Sequence, residues 1–91
     1  MQNRTSGDLT TYLDYPDLIE VKVEDDYYLK TTFNNGESKL VDIKPWLTRP
    51  QFYPLKDKSL FEKAQAEFEG VIWNEDIDIA QEALYDHGKL I

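Results

Sequence analysis

The chain has 91 residues, 18 Asp and Glu against 10 Lys and Arg, and no cysteine. That length is one domain with one modest core, and the missing thiols exclude a disulfide scaffold, a thiolate zinc site and a cysteine nucleophile. The formal charge of −8, with no basic patch in the sequence, argues against direct nucleic-acid binding, which rests on phosphate neutralisation by Lys and Arg.

Residues 1–14 are polar and lack a clear period, and they read as a flexible or docking arm. The domain proper is expected over residues 15–91. From Leu18 to Glu24 the pattern alternates, with Ile19, Val21 and Val23 on one face and Glu20, Lys22 and Glu24 on the other. Period two over seven residues predicts a half-buried strand. Asp25–Asp26 marks a turn. A second strand follows from Tyr27 to Phe33, with Tyr27, Leu29, Thr31 and Phe33 sharing a face. Asn34–Asn35–Gly36 is a hairpin signal, because Asn and Gly tolerate positive φ. A third strand runs from Glu37 to Ile43, with Val41 and Ile43 on one face and Leu40 on the other.

Pro45 ends that strand. Residues 45–54 hold three prolines and several large apolar groups, and they predict a connecting loop opened by one short helical turn at Pro45–Leu47. Asp57 is a good helix N-cap. Leu60, Phe61, Ala64 and Phe68 at helical spacing predict a helix over residues 58–66. Val71, Ile72 and Trp73 read as a short buried strand and Ile77–Ile79 as another. Asp78 with Gln81 resembles a capping box opening a last short helix, which Gly88 would stop. The fold class is α+β: a three-stranded antiparallel meander, a helix, one or two short strands and a short C-terminal helix.

The chemistry-bearing residues do not assemble into a catalytic pattern. His87, the single histidine, sits at the expected end of the last helix with no nucleophile nearby. Glu75, Asp76 and Asp78 are oxygen donors of the kind calcium and magnesium prefer, but they lack the spacing of a calcium loop. A solvated turn with Asp78 as a cap accounts for them. Glu24–Asp25–Asp26 is a turn by composition. No catalytic, metal or cofactor-binding residue is assigned. The candidate interface is the aromatic loop: Trp46, Arg49, Phe52 and Tyr53. Trp, Tyr and Arg are favoured at interface hot spots, while the same rings could close the open face of a small sheet. Both uses coexist if Trp46 lies inside and Tyr53 outside.

The organisation resembles a bacterial family, domain-of-unknown-function family 2442. The residues that carry the resemblance run from Tyr15–Pro16 and Ile19–Glu20–Val21, through Leu29, Phe33 and Asn35–Gly36–Glu37, to Asp42–Ile43, Pro45 and Leu47. They continue with Phe52, Pro54–Leu55 and Asp57–Lys58–Ser59–Leu60–Phe61, where Lys58 stands in place of the family's usual proline. Gly70–Val71–Ile72–Trp73, Asp78–Ile79–Ala80 and Leu84–Tyr85 complete the match. The resemblance implies a compact α+β domain. It implies no catalytic residues. Some members are encoded beside another small protein in arrangements that look like toxin–antitoxin pairs.

The expectation is a cytoplasmic protein-interaction module, the antitoxin-like partner of a small basic protein, able also to homodimerise through a free strand edge. No run of apolar residues is long enough to span a membrane, and the first twenty residues lack the order of a signal peptide. The alternative is a small-ligand-binding or enzymatic domain with a pocket between the sheet and the first helix.

Overall fold

The computed structural model describes residues 15–67 and 69–91, so the arm read over residues 1–14 and the helical role given to Phe68 lie outside it. Strands β1 (Leu18–Glu24), β2 (Tyr28–Phe33) and β3 (Ser38–Asp42) form the expected antiparallel meander. The turn at Gly36 has φ +90°, a conformation a side chain would strain. Phe33 N–H donates to the Glu37 carbonyl across it (2.9 Å). Leu29, Thr31 and Phe33 on β2 and Val41 on β3 are fully buried, as the period-two pattern requires.

Strand β1 departs from its predicted alternation. Leu18 pairs with Phe33 and Glu20 with Thr32, so Ile19 is an extra residue in a bulge. Leu18 is thereby turned into the core, and Ile19, expected on the buried face, is 60% exposed.

Residues 45–54 leave the sheet as expected, but as two short 3-10 segments, Trp46–Thr48 and Pro50–Lys56. Their Trp46, Leu47, Phe52 and Leu55 enter the core. Asp57 caps helix α1 (Lys58–Phe61) by accepting from Ser59 N–H. The helix stops there rather than near residue 66. Gln65–Glu67 instead forms strand β4, paired with β5 (Gly70–Asn74). Tertiary packing overrides helical spacing here. The indole N–H of the buried Trp73 on β5 takes the Phe61 carbonyl (3.0 Å), and Ala66 pairs with Val71.

Strand β6 (Ile77–Ala80) completes a three-stranded sheet ordered β4-β5-β6. Helix α2 (Gln81–His87) follows without an intervening loop. Asp78 does not cap it: β6 runs to Ala80, the N-cap, and leaves Asp78 two residues short and exposed on the sheet. Gly88 ends α2 as expected, with φ −79°. It is needed for clearance, since a Cβ there would stand 2.8 Å from Lys39 Cβ and 3.1 Å from Val41 Cγ2. Behind it, β7 (Lys89–Leu90) adds to β3 and makes the first sheet four-stranded, β1-β2-β3-β7.

Both sheets, the 3-10 segments and both helices contribute to one hydrophobic core. Gln81 ties the two ends of the chain across it. This 5%-exposed side chain accepts from Leu18 N–H (2.9 Å) and donates to Asp17 Oδ1 (3.2 Å), while its own N–H reaches the Glu69 carbonyl (2.8 Å). The side-chain polar atoms of Gln81 are thus satisfied despite their burial. No helix of the described residues is long and apolar enough to cross a membrane.

Candidate functional site

The loop singled out by its aromatic residues is divided by the fold. Trp46 and Phe52 are buried, whereas Arg49 and Tyr53 remain outside, Tyr53 at 47% exposure. Lys56 Nζ lies 4.2 Å from the Tyr53 ring centroid, so this ring already faces a cation of its own chain. Trp46 meets His87 edge to face, with centroids 5.1 Å apart. His87 Nδ1 donates to the Ala83 carbonyl (2.9 Å) at the end of α2. This single histidine is therefore held by packing and by its own helix.

Glu75 and Asp76 occupy the β5–β6 turn, where Asn74 Oδ1 accepts from Asp76 N–H (2.8 Å), and Asp78 projects from β6. Among the described residues no three carboxylates or imidazoles converge as metal ligands would.

A cleft of about 480 Å³ opens between the β1–β2 turn and α1, lined by Val23, Tyr27 and Phe61, by Glu24, Asp25, Asp26 and Glu62, and by Lys58. Four acidic residues and one lysine thus line the cleft together with two partly buried residues, Val23 and Tyr27, and the buried ring of Phe61. The turn that supplies most of the rim is strained. Asp26 and Tyr27 both adopt left-handed φ, 62° and 64°, unusual for a bulky side chain. Three contacts hold it there. The Tyr27 hydroxyl donates to the Lys56 carbonyl, its ring packs edge to face on Phe61 at 5.0 Å, and Lys44 Nζ reaches both the Asp26 carbonyl (2.8 Å) and carboxylate (3.1 Å). Partial burial pulls the Lys44 pKa down, but bonds to Asp42 and Asp26 outweigh it and hold the group above its ordinary value. The clamp therefore stays charged.

In the sequence Glu24, Asp25 and Asp26 read as a turn, Glu24 also as the outer face of the first strand, and nothing singles out Glu62. Only the fold brings them together.

A second polar cluster lies at the C-terminal part of α2, away from the cleft. Tyr85 hydroxyl donates to Glu37 Oε1 (2.5 Å), and Asn35 Nδ2 donates to the same oxygen (2.9 Å). These bonds, Tyr85 first, hold the Glu37 carboxyl below its ordinary pKa, and the same contact raises Tyr85. Tyr15 donates to Asp86 (2.7 Å), and its pKa is raised by that bond. Lys39 Nζ donates to the Tyr85 carbonyl (2.7 Å). These groups bond to one another within the chain, which makes the cluster a fastening between α2, the β2–β3 turn and β3.

Strands first, helices packed across them and one shared core define a small α+β domain. Residues 18–89 match the family described as "Protein of unknown function (DUF2442)", and the chain belongs to that family. No curated protein and no solved structure shows significant similarity to it.

Proposed function

We propose that this domain is an acidic protein-interaction module that receives a basic partner, as the antitoxin-like half of a two-protein pair in the reducing cytoplasm. The observation that carries the reading is the cleft, whose lining sets four acidic residues, Glu24, Asp25, Asp26 and Glu62, against one lysine, Lys58, beside Val23, Tyr27 and Phe61. A partner's Arg or Lys side chain suits such a place, with its aliphatic stem against those last three side chains and its charge among the carboxylates. The net charge of −8 would steer a basic protein toward it and make the association salt-sensitive. Arg49 and Tyr53 are the parts of the aromatic loop left outside to add contacts.

The test is an affinity pull-down from host lysate at low and high salt, comparing wild type with Glu24→Gln/Asp25→Asn/Glu62→Gln. A small basic protein retained by wild type at low salt, and lost by a well-folded variant, is the expected result. Equal retention by both proteins would rule out the cleft, and the absence of any basic partner would remove the interaction reading.

The same cleft supports a second reading. Its volume lies within the range of small-molecule sites, roughly 300–1,000 Å³, and its lining suits a small organic cation. Titration with arginine methyl ester, followed by amide shifts around Val23 and Phe61, distinguishes this case. Unmoved signals at saturating ester would dismiss it.

A further inference from the structure

Strand register creates a feature of opposite charge that no stretch of the sequence displays. Lys22 lies directly opposite Lys30, Lys30 opposite Leu40, and Leu40 opposite Lys89. Directly opposed residues of antiparallel strands project from the same face. Three ammonium groups therefore form one row across all four strands of the first sheet, on the face turned away from Leu29, Thr31 and Phe33. At about 4.8 Å per strand, the row spans roughly 14 Å between the outermost Cα atoms. Lys22 and Lys89 are exposed, and Lys30 and Leu40 are half-buried.

Among the described residues the ion pairs are those of Lys44 with Asp26 and Asp42, and the row takes part in neither. Like charges directly opposite each other destabilise a sheet. Along β1 carboxylates alternate with Lys22 on this face, at Glu20 and Glu24, but across the strands the sheet sets Lys22 directly beside Lys30. The flanking positions are of a different kind: Glu20, Thr32 and Ser38 on one side, Glu24, Tyr28 and Asp42 on the other.

We propose that this row docks a short acidic segment of a partner protein laid across the strands. Carboxylates of such a segment would relieve the Lys22–Lys30 repulsion, and half-buried Leu40 offers an apolar contact between Lys30 and Lys89. Nucleic acid fits less well. A long polyanion would run past Glu20 and Glu24, which bracket Lys22 on β1, and would meet the overall negative charge. A short acidic segment ends within the row. This surface borders the acidic cleft at Glu24 but takes the opposite charge through different residues, so each can fail without the other.

The experiment is an NMR titration of the full chain with a tetraglutamate peptide, for wild type and for Lys22→Gln/Lys30→Gln. Amide shifts confined to β1, β2, β3 and β7 are expected, with affinity roughly tenfold weaker in the variant. The unbound variant should melt no lower than wild type, because a repulsion has been removed. Absent or scattered shifts, or equal affinity in the two proteins, would overturn the proposal. So would a variant that is clearly less stable, which would assign the lysines to the fold. A thymidine oligonucleotide of equal charge that binds the row more tightly than the peptide would replace the acidic segment with nucleic acid.

Discussion

Strand β2 buries every second side chain over six residues, while β4 spans three residues and buries none of them fully. The first sheet grows from local rules: alternation, an Asn–Gly turn and connections of a few residues. The second is held from outside. Its β5–β6 pairing needs a bare Gly70, its short β4 follows a helix cut off at Phe61, and the strand that ends in Ala80 passes straight into the helix whose Gln81 reaches back to Leu18. A strand set by its own pattern tolerates single changes on its outer face. One set by close approach depends on a few atoms.

The largest break in that contrast should come from Gly70→Ala. The new Cβ would collide with the Ile79 carbonyl oxygen and stand 3.2 Å from Ala80 Cα, which forces β5 and β6 apart. A loss of about 2–3 kcal/mol, or roughly 10–20 °C in melting temperature, is expected. A variant melting within a few degrees of wild type would show that the second sheet yields more easily than its geometry implies. Next is Gln81→Leu, which keeps the volume but strips Leu18 N–H of its acceptor and Asp17 of its donor. Urea unfolding should report a loss of about 1–3 kcal/mol, the cost of an unsatisfied buried donor. An unchanged midpoint would mean that the two sheets are joined by apolar packing alone.

The smallest effect belongs to the first sheet and depends on pH. Glu37 has its folded pKa depressed, chiefly by the Tyr85 bond. Its contribution is therefore present above the ordinary carboxyl value of 4.5 and is lost as pH falls through the lower folded value. Glu37→Gln should flatten that part of the acid limb of a stability–pH curve and change little at neutral pH. An acid limb identical to wild type would remove Glu37 from the account.

What could be read from the residues follows the same division. The three meander strands, both turns, the Asp57 cap and a last helix ending near Gly88 are written in local pattern and in the chemistry of Asn, Asp and Gly. The bulge at Ile19 is not, because only pairing with β2 shows that Leu18 and Val21 must share a face. Helical spacing through Ala64 competes with the Trp73–Phe61 bond and loses. Gln81 looks like a capping residue until the fold brings Leu18 to it. For the candidate sites, Trp46 inside and Tyr53 outside agrees with the division the loop allows. The acidic cleft and the lysine row depend on residues far apart in sequence, and nothing local marks them.

The sheets also differ in what they leave open at their margins. β1 and β4 run beside one another without forming a ladder, so one outer strand of each sheet is shielded by the other. The remaining margins are β6, four residues long, and β7, two. Edges so short are poor templates for lateral growth. A cell could therefore hold this protein at high concentration with little tendency for copies to stack into fibres.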